Sequence, residues 1–102
     1  MSEIDQLKAE IRTFADARDW EKFHTPKNLS MAVAGEAGEL VAEFQWLTAK
    51  ESERSELSAD HLTKIELEIA DVAIYLLRLT DVLGVDLPSV IRKKLALNES
   101  RF

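Results

Sequence analysis

Apolar residues recur along this chain at the three- and four-residue spacings typical of α-helices, in four stretches separated by polar residues. Ser2-Glu3-Ile4-Asp5 has the spacing of a capping box and predicts the start of a first helix. The apolar face of that helix is formed by Ile4, Leu7, Ile11 and Phe14. Pro26 disfavours helical backbone at Thr25, so we expect a turn near residues 22–28.

The second helix is predicted over about residues 29–47, with Asn28 or a neighbour as its cap. Gly35 and Gly38 lie inside it, although a glycine in a helix costs up to about 1 kcal/mol relative to alanine. We therefore expect these glycines to let a ligand or another stretch of backbone come close.

The third helix is predicted over about residues 61–83, capped by Ser58 or Asp60. Apolar residues lie on two of its sides, and such a helix is usually central or packed on both faces. In a chain of only 102 residues, this pattern suggests an interface between subunits. A short fourth helix is predicted from Asp86-Leu87-Pro88 to about Leu97.

Composition agrees with an all-α protein of one domain over residues 1–102. Hydrophobic residues make up 46% of the chain and charged residues 31%, with only 3 glycines and 2 prolines. A chain of this length buries only about 60 to 70% of its unfolded surface, so a small helical bundle gains from assembling with copies of itself. We expect a four-helix-bundle-like fold in a homo-oligomer.

Three glutamates interrupt the apolar stripe of the second helix. On a helical wheel, Glu36, Glu39 and Glu43 project into the stripe formed by its apolar residues. An ionised carboxylate that is buried without a partner costs several kcal/mol or more, so a cation or a cluster of donors must face these acids. The chain has too few buried bases for that role, which makes a bound metal ion the leading hypothesis.

A second pair of acids supports the metal hypothesis. Glu68 and Asp71 lie three residues apart on the third helix, and Tyr75 follows four residues later on the same flank. If the second and third helices pack antiparallel, these acids can converge with Glu36 and Glu39 on a site made only of oxygen atoms. Such a site suits Mg²⁺, with Mn²⁺ as the alternative, and these ions commonly handle phosphates.

Each of these features also has an ordinary explanation. Pairs of acids three residues apart are common on solvated helix faces, and Glu66 lies on a different flank from Glu68 and is expected to be solvated. Trp20, Trp46 and Tyr75 are by default core or interface aromatics, although they also suit stacking on a base. Glu43 fits equally well as a residue that contacts the metal site and as one at the edge of the bundle.

Net charge and the N-terminal residues limit the partners. The chain has 13 basic and 19 acidic residues, a formal charge of −6, which argues against general binding to nucleic acid or to anionic membranes. There is no cysteine, so a thiolate metal site and a disulfide framework are both excluded. Because Met-Ser-Glu-Ile-Asp lacks the features of a signal peptide, we expect a cytoplasmic protein.

Several motifs together resemble the MazG-like nucleotide pyrophosphohydrolases, and most closely their dCTP pyrophosphatase branch. The matching segments are Arg18-Asp19-Trp20-Glu21-Lys22-Phe23-His24-Thr25-Pro26-Lys27-Asn28-Leu29, Gly35-Glu36-Ala37-Gly38-Glu39, Phe44-Gln45-Trp46, Glu68-Ile69-Ala70-Asp71 and Asp86-Leu87-Pro88. The resemblance covers about residues 10–102. It implies an all-α fold and Mg²⁺-dependent hydrolysis of a (deoxy)nucleoside triphosphate, dCTP first, to the monophosphate and pyrophosphate.

The resemblance also implies roles for individual residues. The family's metal ligands match Glu36, Glu39, Glu68 and Asp71, of which Glu36 and Glu39 are also the candidate catalytic residues. Its substrate pocket matches Trp20, His24, Asn28, Trp46 and Tyr75, and its phosphate contacts match Lys94, Asn98 and Arg101. Members of the branch resemble dimers or dimers of dimers whose sites form between subunits. One departure is Gly35, where the broader family has a second acid before Glu36.

Two rival classes remain to be compared with this hypothesis. A di-iron carboxylate bundle needs a Glu-x-x-His motif on each of two helices, and the chain has only one, at residues 21–24. A non-catalytic helical interaction protein with an acidic, cation-binding groove is the other alternative. In that protein Glu36 and Glu39 could be replaced by glutamine without loss of function.

Overall fold

A computed structural model describes residues 1–102 as an all-helical chain with no strand, as predicted. The four α-helices are α1 (Glu3–Ala17), α2 (Pro26–Ala42), α3 (Ala59–Leu83) and α4 (Leu87–Arg101), and a short 3-10 helix (Arg54–Glu56) lies between α2 and α3. No helix is both long and apolar enough to span a membrane.

Each α-helix begins at a side chain that caps its first turn. In every case a side-chain oxygen accepts a hydrogen bond from the backbone N–H three residues later, and the caps are Ser2, Thr25, Ser58 and Asp86. These bonds satisfy backbone donors that have no partner within the helix. The predicted caps at Ser2 and Ser58 are confirmed.

The start of α2 differs from the prediction by one turn. Thr25 caps this helix, and Pro26 follows at its first position, where the missing N–H of proline removes a donor that would have no helical partner. Asn28 therefore lies inside the first turn, and its side-chain amide donates to the backbone oxygen of Phe23 at 3.0 Å. The prediction that α2 begins near residue 29 was wrong because proline was taken only as a helix breaker.

The end of α2 was also misplaced. The helix stops at Ala42 instead of Leu47, and residues 43–47 form turns. The backbone oxygen of Glu43 accepts a hydrogen bond from Nε2 of His61 at 2.9 Å, while the N–H of Leu47 bonds to Phe44. In a continuing α-helix the carbonyl of Glu43 would accept from the N–H of Leu47, but here it accepts from His61. In contrast, α4 continues to Arg101, one turn beyond the predicted end.

The two main helix contacts both involve α3. Glu43, at the end of α2, meets His61 near the start of α3, and Glu36 lies beside Glu68, so the two helices run antiparallel. The N-terminal helix α1 packs against the C-terminal half of α3. There the buried Lys8 donates from Nζ to the backbone oxygen of Val85 at 2.8 Å. The helix α4 makes few contacts with the rest of the chain.

A single chain leaves much apolar surface exposed. Only seven of the 102 residues are buried, and four of these are hydrophobic: Ala15, Leu29, Ile65 and Leu77. Exposed apolar side chains occur on all four helices, and on α3 they lie on the two sides that the sequence pattern identified. The radius of gyration is 16.2 Å, compared with about 13 Å for a compact domain of 100 residues.

Candidate metal and nucleotide site

The antiparallel packing of α2 and α3 brings three of the four predicted metal ligands together. One carboxylate oxygen from each of Glu36, Glu68 and Asp71 lies within 4.8 Å of the other two. Glu36 and Glu68 are partly buried, and Asp71 is partly exposed. Glu68 and Asp71 share a flank of α3 because they lie three residues apart, so only α2 had to supply the third oxygen. The sequence prediction located this cluster.

Glu39 and Glu43 belong to the same electrostatic group. The pKa of Glu68 is raised, first because its burial disfavours the charged form and then because Asp71, Glu39, Glu36 and Glu43 repel its charge. No carboxylate oxygen of Glu39 completes the close cluster, so its role as a fourth ligand stays a prediction. We call these five acids the acidic cluster.

His61 fixes one end of the acidic cluster. Its Nε2 atom lies 2.9 Å from the backbone oxygen of Glu43 and 3.3 Å from the Oε1 atom of the same residue. These contacts join the end of α2 to the first turn of α3 and set the register of the two helices. Glu43 is therefore the member of the acidic cluster that lies at the edge of the helix pair.

A cavity of about 270 Å³ adjoins the acidic cluster on the side of α1. It is lined by Asp71 and by eight further residues from α1, α3 and the loop between α1 and α2: Ile11, Phe14, Ala15, Trp20, His24, Ile74, Tyr75 and Arg78. We call it the aromatic cavity. Asp71 belongs both to the cluster and to the cavity wall, so the two form one continuous site.

The loop between α1 and α2 supplies the aromatic wall of this cavity. The ring of Trp20 meets the ring of Phe14 edge-on, with centroids 5.7 Å apart, and lies 6.2 Å from the ring of His24. The guanidinium of Arg18 lies over the ring of Phe14 at 3.6 Å from its centroid and 5.9 Å from the ring of Trp20. Three predicted substrate-binding residues, Trp20, His24 and Tyr75, thus share the aromatic cavity.

The other predicted substrate-binding residues lie elsewhere in the single chain. Trp46 lies in the turns after α2 and its side chain is 87% exposed. Lys94, Asn98 and Arg101 lie on α4, which stands apart from the other helices. Asn28 lies in the first turn of α2, and its side chain donates to the backbone oxygen of Phe23 in the preceding loop. Their contacts with a substrate stay predictions.

Sequence reasoning did not identify Arg78, which lines the aromatic cavity with only 7% of its side chain exposed. A signal was available in the spacing: Asp71, Tyr75 and Arg78 lie at positions i, i+4 and i+7 and therefore share one face of α3. Phe14 was assigned to the core, but 51% of its side chain is exposed and it lines the same cavity.

The chain resembles known proteins over its whole length. A model of the MazG-like family matches residues 32–101. Over 102 residues the chain is 40% identical to dCTP pyrophosphatase 1 of Homo sapiens and 38% identical to dCTP pyrophosphatase 1 of Bos taurus. These alignments cover 100% of this chain but 58% and 59% of those two proteins, so the chain spans less than two thirds of their length.

The fold agrees with a solved structure. The crystal structure of a pyrophosphatase from Archaeoglobus fulgidus matches with a TM-score of 0.90 at 36% sequence identity, covering 100% of this chain and 94% of that chain. The match covers α2 and α3, the two helices that carry the acidic cluster in this chain. From the family model, the curated relatives and this structure, we conclude that the chain belongs to the MazG-like family and is similar within it to the dCTP pyrophosphatases.

Proposed function

We propose that this chain hydrolyses (deoxy)nucleoside triphosphates to the monophosphate and pyrophosphate. The observation that carries the proposal is the continuity of the site: Asp71 joins a cluster of carboxylates, suited to a metal–phosphate complex, to a cavity lined by Trp20, His24 and Tyr75, suited to a base and sugar. The proposal is also supported by the similarity of this chain to dCTP pyrophosphatases and to the pyrophosphatase from Archaeoglobus fulgidus.

The acidic cluster fits a hard divalent cation. It offers only carboxylate oxygens, which is the donor set that Mg²⁺ and Mn²⁺ prefer. The pKa of Glu68 is raised first by burial and then by the negative charges around it, and a cation would neutralise those charges. Glu36, Glu68 and Asp71 would hold the ion, with Glu39 as the predicted fourth ligand. A bound Mg²⁺ supplies positive charge to the triphosphate oxygens and lowers the pKa of a water molecule.

The reaction itself needs attack by water at the α-phosphorus. The water oxygen forms a new bond to that phosphorus, the bond to the bridging oxygen breaks, and pyrophosphate leaves with the bonding electron pair. Glu36 and Glu39, three residues apart on α2, are the carboxylates that we assign to accepting the water proton. The residues of the aromatic cavity hold the base, which keeps the α-phosphorus beside the cluster.

We further propose that pyrimidine nucleotides are the preferred substrates, with dCTP first. This preference is supported by the name of the curated relatives. The surplus of acidic residues, with a formal charge of −6, fits a cytoplasmic enzyme that takes free nucleotides and not nucleic acid or a membrane surface.

We propose that the working enzyme is a homo-oligomer, either a dimer or a dimer of dimers. Support comes from α4, which is nearly free of contacts and exposes Val90 and Ile91. Lys94, Asn98 and Arg101 follow Val90 by four, eight and eleven residues, so they share one side of α4 with these apolar residues. A second copy that covers this side would bring the predicted phosphate contacts to a site.

A helical interaction protein with an acidic groove is the second candidate, and the acidic cluster alone would fit it. The aromatic cavity that adjoins the cluster favours the enzyme, because a groove for a basic peptide does not need a cavity of about 270 Å³ lined by aromatic rings beside it. The two candidates differ in what glutamine does at Glu36 and Glu39: the enzyme loses activity, and the interaction protein keeps its function.

The test is release of pyrophosphate from a panel of dNTPs, with Mg²⁺ and with EDTA. We expect release only with Mg²⁺, fastest with dCTP, and a loss of at least about a hundredfold in kcat for Glu36→Gln and Glu39→Gln. Glu66→Gln is the matched control, because Glu66 lies two residues from Glu68 on α3 but is exposed. No release from any dNTP by a correctly assembled protein would reject the proposal and favour the interaction protein.

A further inference from the structure

Arg78 occupies an unusual place for an arginine. It lies on α3 among leucines, its side chain is 7% exposed, and it lines the aromatic cavity beside Tyr75 and His24. A buried guanidinium requires partners for its charge and its five donors. Two partners are present: Nε donates to Nδ1 of His24 at 3.1 Å, and a terminal nitrogen lies 3.4 Å from Oδ2 of Asp81.

The contact with His24 determines where the proton of the imidazole lies. A guanidinium can only donate hydrogen bonds, so Nδ1 of His24 must accept and must carry no proton. A neutral ring then has its proton on Nε2. The pKa of His24 is lowered, first by burial and then by the charge of Arg78, which keeps the ring neutral at neutral pH.

The position of Arg78 is supported by Asp81, three residues later on α3. The carboxylate of Asp81, 14% exposed, accepts hydrogen bonds from Nε and Nη2 of Arg12 at 2.8 and 2.7 Å, so its orientation is fixed by α1. Its Oδ2 atom also faces Arg78. A continuous chain of contacts thus runs from Arg12 through Asp81 and Arg78 to His24.

We propose that Arg78 is a positioning residue of the nucleotide pocket, which holds His24 as the Nε2–H tautomer so that the cavity wall presents a hydrogen-bond donor to an acceptor atom of the base. This proposal rests on the proposed function. Cytosine offers such acceptors at its ring nitrogen N3 and its carbonyl oxygen O2. With the other tautomer, the same ring would present a lone pair and repel them.

The first test is the long-range proton–nitrogen NMR spectrum of the histidine rings. The chain has only two histidines, and His61→Asn assigns their signals. We expect His24 of the unaltered protein to show a protonated Nε2 and an unprotonated Nδ1, and protonation at Nδ1 to appear in Arg78→Met. A protonated Nδ1 of His24 in the unaltered protein overturns the proposal, and this outcome does not depend on whether Arg78→Met folds.

The second test is steady-state kinetics with dCTP. Arg78→Met should raise KM about tenfold and change kcat less than about threefold, because the lost contact helps to bind the base equally in the ground and transition states. In a His24→Asn background the same substitution should have no further effect on KM. Arg12→Met is the matched comparison: it removes the support of Asp81 but leaves the hydrogen bond from Arg78 to His24 in place, so it should raise KM less than Arg78→Met does.

The outcomes separate the two proposals. An enzyme that hydrolyses dCTP but whose KM is the same in Arg78→Met overturns the role of Arg78 and leaves the proposed function intact. An equal rise of KM in Arg12→Met would show a general effect of the ion-pair network and also overturns it. A protein that hydrolyses no nucleotide overturns both.

Discussion

The pKa of Glu68 is raised by its burial and then by repulsion from the four other carboxylates of the acidic cluster. We predict that Glu68→Gln makes the metal-free protein more stable to heat, because it removes one of several charges that repel each other. The same change should abolish activity and the rise in melting temperature that Mg²⁺ causes by binding the folded state. Differential scanning calorimetry with Mg²⁺ and with EDTA measures both effects.

Glu66→Gln serves as the control for that experiment, since it removes the same charge from an exposed position of α3. It should leave activity and the effect of Mg²⁺ unchanged. A metal-free Glu68→Gln protein that melts below the unaltered one would contradict the electrostatic account of the cluster.

The pKa of Asp81 is shifted in the opposite direction to that of Glu68, so replacing Asp81 should destabilise the protein. The hydrogen bond from Arg12 is the largest cause that holds the pKa of Asp81 below its ordinary value of 3.8. A depressed pKa in the folded state means that the ionised group stabilises the fold above the unfolded pKa, and that this stability is lost as the pH falls through the folded pKa. Asp81→Asn should therefore lower the free energy of unfolding at pH 7 by about 1 to 3 kcal/mol.

The difference between Asp81→Asn and the unaltered protein should shrink as the pH falls below about 4, where Asp81 of the unfolded chain is already protonated. Urea unfolding followed by circular dichroism at several pH values measures it. A difference that stays constant down to the acid limit would mean that packing, and not the charge of Asp81, supports this end of the molecule.

Individual residues were predictable from sequence when local spacing fixed their place. Glu68, Asp71 and Tyr75 lie on one flank because of helix geometry alone, and the sequence identified them. Arg78 continues the same spacing but was missed, since an arginine in an apolar run does not by itself indicate a polar partner. Its partners, His24 and Asp81, become visible only when the loop after α1 packs against α3.

At the scale of the elements, the two glycines of α2 present an open question. We expected them to permit close packing, but a Cβ atom at Gly35 or Gly38 would meet nothing within 4 Å in this chain. We therefore predict that Gly35→Ala raises the free energy of unfolding by about 0.5 to 1 kcal/mol, through helix propensity. Thermal unfolding without nucleotide tests this, and a lowered melting temperature would show that a second copy packs against this face.

Helix boundaries were predictable to within about one and a half turns, and the errors have physical causes. The third helix was placed to within two residues because Ser58 and Gly84 mark its ends through local chemistry. The end of α2 was placed five residues too late. The N–H of Glu43 already bonds three residues back, to Leu40, and the carbonyl of Glu43 is bonded to His61, a residue far away in sequence. Periodicity cannot detect a hydrogen bond of that kind.

At the scale of the whole molecule, an exposed α4 and a large radius of gyration support assembly with further copies. We predict that Ile91→Glu, on the side of α4 that also carries Lys94 and Asn98, dissociates the oligomer and lowers activity. Sedimentation velocity measures the assembly, and circular dichroism shows whether the helices persist. Ala96→Glu, on the opposite side of α4, is the matched control and should assemble normally.

A chain that sediments as a fully active monomer would contradict this prediction. It would also mean that Lys94, Asn98 and Arg101 take no part through a second copy. The family resemblance assigns these residues and Trp46 to substrate binding. Within one chain, however, none of them lines the aromatic cavity, so the sequence could not show where they act. The spacing of apolar residues predicts which side of a helix is apolar, but it does not specify how two copies of the chain pack against each other.

The most direct measurement of the central claim is the position at which water enters the nucleotide. A dNTP is hydrolysed with Mg²⁺ in water labelled with a heavy oxygen isotope, and the masses of both products are measured by mass spectrometry. Attack at the α-phosphorus places the label in the nucleoside monophosphate and leaves the pyrophosphate unlabelled, which is the result we predict. Label in the pyrophosphate, or release of single phosphates, would contradict the account.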